Sequence, residues 1–168
     1  MGLLVRANHP HAVVECAGNL FRAAVGRAGI GIKRGEGDGV TPAGSFPLRT
    51  VLYRSDRIAR PVTRLPLRTI AESDGWCDAS GDGAYNRPVK LPYPASAESL
   101  WRDDRLYDLI VVVGYNDGPV VAGLGSAIFL HVAREDFAPT EGCIALALDD
   151  LRTVCASLEP GDTVTITP

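Results

Sequence analysis

The residues best suited to chemistry are one cysteine and one histidine in the last third of the chain. Cys143 follows His131 by twelve positions, and both lie in strand-like sequence. A thiol attacks a carbonyl carbon as the thiolate, and an imidazole within hydrogen-bond reach can take its proton near neutral pH. The pair therefore predicts a cysteine nucleophile with a histidine base.

The alternation of side chains indicates that the two groups can meet. If residues 126–133 and 143–147 form strands, their aliphatic side chains share one face, and His131 and Cys143 point to the other. Gly142 leaves the backbone N–H groups of residues 142 and 143 unshielded, as an oxyanion hole requires. We therefore expect Gly142 and Cys143 to supply the oxyanion hole.

A structural role for the same residues is the alternative. A single cysteine is more often a small buried residue than a nucleophile, and a single histidine beside leucine is more often a structural residue. His131 is the only candidate base, because His9 and His11 lie near the start of the chain around Pro10.

Three motifs resemble the catalytic domain of L,D-transpeptidases, the YkuD-type domain. Residues 140–143 read Thr-Glu-Gly-Cys, similar to the Ser/Thr-His-Gly-Cys signature of that family. Residues 41–46 read Thr-Pro-Ala-Gly-Ser-Phe, similar to its Thr-Pro-x-Gly-x-Phe hairpin, and residues 113–116 read Val-Gly-Tyr-Asn before the histidine strand. The ordered series covers roughly residues 28–167 and is more specific than any single motif.

The sequence departs from the family pattern at two positions beside the cysteine and in one loop. Glu141 stands where the family has histidine, Ala145 stands where it commonly has arginine, and the loop between His131 and Cys143 is shorter than usual. Glu141 could orient His131 or bind an ammonium group, but a carboxylate near the thiol would also raise the thiol pKa. Our hypothesis is that Glu141 contacts the substrate.

The resemblance implies acyl transfer on peptidoglycan. His131 would activate Cys143, which attacks a stem peptide of tetrapeptide length, forms a thioester, and passes the acyl group to an amine acceptor. Two alternatives remain open: an L,D-carboxypeptidase or amidase that hydrolyses the same bond, and an inactive peptidoglycan-binding module. The resemblance also implies acylation by carbapenems and requires no cofactor.

Three further residues are candidate substrate contacts. Thr140 precedes the signature glycine, and Tyr115 and Asn116 follow a buried apolar run, where a strand end could present them to a peptide. A turn over residues 114–118 explains Tyr115 and Asn116 almost as well, and Thr140 is better suited to shaping a turn than to reacting.

The coarse pattern predicts a mainly β fold, a YkuD-like β-sandwich or barrel with one or two short helices, as a single domain over residues 1–168. The predicted helix covers residues 149–158, and a second helical turn covers 96–101. Residues 72–95 are expected to form a long ordered loop. The expected strands are 3–6, 11–16, 28–33, 45–53, 107–115, 126–133, 143–147 and 162–167.

Composition limits the partners and the location. The net charge of −3 argues against nucleic-acid binding, and six arginines between residues 49 and 68 favour a solvated edge over a carboxylate-binding patch. The four cysteines are expected to be free thiols, and no metal site or transmembrane segment is expected. The chain as written lacks a signal peptide and predicts a cytoplasmic protein, whereas the resemblance implies the cell envelope or periplasm.

Overall fold

The computed structural model describes residues 2–168. Fourteen strands and one helix follow one another along the chain. The helix α1 covers Leu148–Ser157. The strands are Leu3–Asn8 (β1), His11–Cys16 (β2), Asn19–Ala24 (β3), Ile30–Gly31 (β4), Thr41–Pro42 (β5), Gly44–Tyr53 (β6), Leu67–Thr69 (β7), Asp74–Cys77 (β8), Pro88–Lys90 (β9), Ala97–Ser99 (β10), Leu109–Val113 (β11), Phe129–Val132 (β12), Ile144–Leu146 (β13) and Thr163–Thr167 (β14).

The largest sheet closes on itself. Its strand order is β11-β12-β13-β3-β2-β1-β14-β6-β7, and the long strand β6 also pairs with β11. This extra pairing joins the two ends of the sheet, so that nearly every strand has a partner on both sides. The predicted mainly β fold of barrel or sandwich type is confirmed.

The strand β11 separates two hydrophobic cores. Leu109, Val111 and Val113 face the main core inside the barrel, whereas Ile110 and Val112 face a second core outside it. Because successive strand residues point to opposite faces, a strand with apolar residues at every position must be covered on both sides. The outer cover is the small sheet β10-β8-β9.

The helix α1 packs its apolar face into the main core. It buries Leu151, Val154 and Cys155, and Leu158 just after it is buried as well, as the predicted apolar stripe requires. The predicted boundaries are confirmed to within one residue. No helix formed by residues 2–168 is long and apolar enough to cross a membrane.

Three predicted features of the secondary structure are wrong, and one strand was missed. The expected helical turn over residues 96–101 contains strand β10, and the expected loop over residues 72–95 contains β8 and β9. The predicted strand over residues 28–33 is reduced to the two residues of β4. Strand β3 was not predicted, although the left-handed Gly18 (φ +81°) marks the tight turn that joins it to β2.

The arginine-rich segment is largely neutralised within the protein. Four of its six arginines form ion pairs, and the four cysteines are free thiols, as predicted. The pairs are Arg49–Asp117, Arg54–Asp56, Arg57–Asp108 and Arg64–Glu159.

Candidate active site

Parallel pairing of β12 with β13 brings the candidate nucleophile and base to one side of the barrel. His131 lies opposite Ala145 in the register, and Cys143 directly precedes β13. Leu130 faces the main core, whereas Cys143 packs against the second core, so the predicted facing of the two segments is confirmed. Cys143 and His131 both line a cavity of about 290 Å³ on the outer face of the barrel.

The imidazole of His131 is held in one tautomer. Its Nδ1 atom lies 2.9 Å from the backbone oxygen of Val132, and because that oxygen can only accept, Nδ1 carries the hydrogen. The lone pair is therefore on Nε2, the atom that a general base uses. Burial lowers the pKa of His131 to about 4, so the ring is neutral at neutral pH.

The thiol of Cys143 is protonated in the resting site. Its Sγ donates to the backbone oxygen of Ala127 over 3.2 Å and accepts from the N–H of Phe129 over 3.4 Å. Burial, with a smaller contribution from the nearby carboxylate of Glu98, raises the pKa of Cys143 to about 12. Among residues 2–168 no hydrogen bond joins Sγ to His131, so the expected thiol–imidazole bond is not formed in this state.

The turn before Cys143 is fixed by the hydroxyl of Thr140. This hydroxyl donates to the backbone oxygen of Cys143 over 2.7 Å and accepts from the N–H of Gly142 over 3.1 Å. The expectation that the Gly142 N–H is unshielded is therefore wrong for the resting state, because that donor is already in use. Thr140 lines the cavity, but its hydroxyl shapes the turn.

Glu141 lies at the rim of the cavity and faces outwards. Its carboxylate forms an ion pair with Arg27 at 3.2 Å, and its side chain is 76% exposed. Arg27 also donates to the backbone oxygen of Gly37 over 2.6 Å, so the pair joins two loops of the rim. Glu141 is bound to Arg27 instead of His131, which leaves substrate contact as its remaining predicted role.

Tyr115 and Asn116 do not line the cavity that contains Cys143. The Asn116 side chain bonds the backbone of Val121 and Gly125, and the Tyr115 hydroxyl donates to the backbone oxygen of Leu124. These bonds hold the loop that follows β11. The turn that was the alternative accounts for these bonds, and a role of the two residues as substrate contacts stays a prediction.

Several cavity residues were not singled out from the sequence. Lys33 is buried and forms an ion pair with Asp38 at 2.7 Å, and Tyr107 packs edge-on against His131 with ring centroids 5.5 Å apart. Burial would raise the pKa of Asp38, but hydrogen bonds from Lys33 and from backbone N–H groups hold it well below its usual value. No motif marks these residues, because folding gathers them from distant segments.

The fold and the cavity define a β-barrel protein with a thiol and an imidazole at one site. The sequence matches the profile of the YkuD family, described as the L,D-transpeptidase catalytic domain, over residues 12–166. The chain therefore belongs to the L,D-transpeptidase catalytic domain family. A comparison with curated protein sequences gave no match.

Solved structures similar to this chain include three from bacteria. L,D-transpeptidase 3 from Mycobacterium tuberculosis shares 15% identity over 99% of this chain and 61% of its own, with a TM-score of 0.48. An L,D-transpeptidase from Mycobacterium smegmatis shares 16% identity over 99% of this chain and 58% of its own, with a TM-score of 0.46. The helical cell shape determining protein Pgp2 from Campylobacter jejuni shares 14% identity over 98% of this chain and 47% of its own, with a TM-score of 0.47. The chain thus spans about half to three fifths of these proteins.

Proposed function

We propose that this protein catalyses cysteine-dependent acyl transfer on peptidoglycan stem peptides, as an L,D-transpeptidase. The observation that carries the proposal is the placement of Cys143 and His131 in one cavity, with the Nε2 lone pair of His131 left free by the bond to Val132. Membership of the L,D-transpeptidase catalytic domain family supports the same reaction.

The first half-reaction forms a thioester. His131 Nε2 takes the proton of Cys143 Sγ, and the thiolate attacks the carbonyl carbon of the bond between an L-centre and the terminal D-amino acid. The imidazolium then gives its proton to the leaving amine, and the carbon–nitrogen bond breaks. The oxyanion is held by the N–H of Cys143 and by that of Gly142, which exchanges its bond to Thr140 for the substrate.

The second half-reaction transfers the acyl group. The amine of a second stem attacks the thioester, His131 takes the proton released by that amine, and Cys143 leaves as the thiol after reprotonation. The product is a cross-link between the two stems. Hydrolysis is the second candidate reaction, because the loop between His131 and Cys143 is shorter than the family usually has, and a shorter rim admits water more easily and holds an acceptor peptide less well.

Mass spectrometry of products separates these reactions. Purified protein is incubated with disaccharide-tetrapeptide fragments, alongside Cys143→Ala and the matched thiol deletion Cys16→Ala in the main core. D-Alanine release that requires Cys143 supports the enzyme, with dimers indicating a transpeptidase and tripeptide monomers a carboxypeptidase. Normal turnover by Cys143→Ala would refute the assignment of Cys143 as the nucleophile. If wild type itself forms no product, the result would favour a peptidoglycan-binding module.

The base and the inhibitor are tested separately. His131→Ala is expected to slow acylation by about 10²- to 10⁴-fold, the range for loss of a general base. Intact-protein mass spectrometry after exposure to a carbapenem is expected to show one adduct on wild type and none on Cys143→Ala. We place the proposed reaction in the cell envelope, where peptidoglycan lies, and fractionation of the producing cells tests that location.

A further inference from the structure

A buried lysine lies beside the turn that carries Cys143. Lys33 lines the same cavity as the thiol, and its side chain is only 4% exposed. A Cβ atom on Gly142 would lie 3.5 Å from the Lys33 Nζ atom, so the ammonium group lies next to the residue directly before Cys143. Its charge acts to lower the pKa of the thiol, whereas burial and Glu98 act to raise it. Lys33 is therefore a cation placed to act on the candidate nucleophile.

The side chain of Lys33 reaches this position through space that a glycine leaves open. Gly125 has φ +110°, and a Cβ atom there would lie 2.5 Å from Cε of Lys33, closer than real Cβ atoms come. A larger residue at position 125 would therefore displace the lysine chain. The loop after β4, which carries Lys33, and the loop after β11, which carries Gly125, are thus fitted to each other around this side chain.

The position of the ammonium group is fixed by Asp38. Nζ donates to the Asp38 carboxylate over 2.7 Å and to the backbone oxygen of Val40 over 3.3 Å. The carboxylate is held in turn by the backbone N–H groups of Arg34, Gly35 and Val40. An ammonium group has three hydrogens, so one of them has no acceptor among residues 2–168. That hydrogen is available to a molecule bound in the cavity.

Stability alone does not explain a buried charge at this position. The desolvation cost of a buried ion pair is large, and apolar residues of similar volume are often equally stabilising in its place. This charge lies beside a cavity that also holds the candidate nucleophile and base. In the resting site the oxyanion hole is short of a free donor, because the Gly142 N–H is bonded to Thr140. The free hydrogen of Lys33 Nζ would supply such a donor.

We propose that Lys33 is a catalytic residue whose ammonium group stabilises the negative charge of the reaction, first on Sγ of Cys143 and then on the oxyanion of the substrate. This rests on the proposed function, because it takes the cavity to be the site of acyl transfer. Lys33 keeps its proton throughout and donates a hydrogen bond, while His131 moves the protons. A hydrogen bond from a charged donor is about twice as strong as one from a neutral donor, so Lys33 compensates for the occupied Gly142 N–H.

Matched variants separate this role from that of a structural ion pair. Lys33→Met removes the ammonium group, whereas Asp38→Asn breaks the same ion pair and keeps the ammonium group. A purely structural pair predicts equal losses in the two variants, but the inference predicts a loss only in Lys33→Met. Arg49→Met is the control, because it removes a cation from an ion pair with Asp117 outside the cavity.

The first test needs no turnover. Cys143 is alkylated at pH 8.5 with iodoacetate, which is an anion, and with iodoacetamide, which is neutral, and the adduct is located by peptide mass mapping. An ammonium group near the thiol attracts the anion, so the ratio of the iodoacetate rate to the iodoacetamide rate is expected to fall about fivefold in Lys33→Met. The ratio should stay at the wild-type value in Arg49→Met and should not fall in Asp38→Asn. A wild-type ratio in Lys33→Met, or an equal fall in Asp38→Asn, overturns the inference.

The second test measures D-alanine release from disaccharide-tetrapeptide fragments. Loss of an oxyanion donor is expected to lower kcat about 10²- to 10³-fold in Lys33→Met, with KM close to wild type, whereas Arg49→Met keeps both values. If Lys33→Met does not fold, the double variant Lys33→Met/Asp38→Asn is measured instead, because it removes both charges and leaves an amide oxygen for the backbone N–H groups. Unchanged kcat in the variant without Lys33 overturns the inference and leaves the proposed function standing. A lowered alkylation ratio without any D-alanine release by wild type supports the ammonium group at the thiol and refutes the proposed function.

Discussion

Replacement of Gly142 by alanine tests how tightly the turn before Cys143 is built. Gly142 has φ +143°, a conformation that L-residues rarely adopt. A Cβ atom on this residue would lie 2.9 Å from the backbone oxygen of Val40, closer than real Cβ atoms come. That oxygen cannot move freely, because it accepts from Lys33 and the Val40 N–H donates to Asp38.

The cost of Gly142→Ala has two parts. A non-glycine residue held in a glycine-only backbone region costs about 1–3 kcal/mol. Forcing one methyl group into packed surroundings adds about 1 kcal/mol or more. The sum is about 2–4 kcal/mol, and since about 1 kcal/mol lowers the Tm of a domain of this size by about 2–4 °C, the expected decrease in Tm is about 4–16 °C.

Thermal unfolding and Cys143 alkylation are measured together on Gly142→Ala. The control is Gly81→Ala, because Gly81 is exposed and a Cβ there would meet nothing within 4 Å. This control is expected to keep its Tm or gain slightly, as unstrained glycine substitutions do. A Gly142→Ala protein with wild-type Tm and wild-type alkylation rate would show that the turn adapts, and the reasoning from the Val40 contact would be wrong.

Three other predictions follow from the buried charges and bonds of the site. The alkylation rate of Cys143 should rise about tenfold for each pH unit between pH 7 and pH 10, because the thiolate is the form that reacts and the pKa of Cys143 is raised to about 12. A plateau of the rate near pH 9 would contradict this. Thr140→Val removes two hydrogen bonds and should lower Tm by about 4–8 °C in a thermal melt, whereas an unchanged Tm would mean that the hydroxyl is dispensable. Lys33→Met should lower Tm by about 5 °C or more, since it leaves Asp38 without its cation. Because the pKa of Asp38 is lower in the folded than in the unfolded protein, where it is about 4, ionised Asp38 stabilises the fold above pH 4, and this stabilisation is lost as pH falls through the folded pKa. In pH titrations of unfolding, Lys33→Met should therefore unfold at a higher pH than wild type. Identical acid unfolding of the two proteins would refute the role of the Lys33–Asp38 pair.

The parts of the site that were predicted follow from strand periodicity. Alternation placed His131 and Cys143 on the face opposite the aliphatic residues, and β12 and β13 have that arrangement. The helix α1 was also predicted, because its apolar spacing and the acidic residues of its first turn are local features. The alternation of apolar residues correctly predicts which face is buried when that face is apolar enough to set the register of the strand.

The parts that were missed depend on pairing between distant segments. Strands β8, β9 and β10 are only three or four residues long, so each becomes a strand only by bonding to the others. Gly75 illustrates this, because a Cβ there would lie 2.9 Å from the Leu91 side chain and 3.1 Å from the backbone oxygen of Glu98. Glycine at position 75 lets the neighbouring strands approach closely, and the sequence of one strand alone does not reveal this contact.

The sequence by itself determined the family, the mainly β fold and the pair Cys143 and His131, because motif order and alternation are written along the chain. Tertiary structure decided what surrounds that pair. In the folded protein the Gly142 N–H donates to Thr140, and Glu141 pairs with Arg27. The cavity that contains Cys143 is also lined by Glu36, Asp78 and Glu98, although Glu36 and Glu98 lie 62 positions apart in the sequence. Electrostatic interactions depend on distance in space, so the charge of an active site is fixed only when the chain has folded.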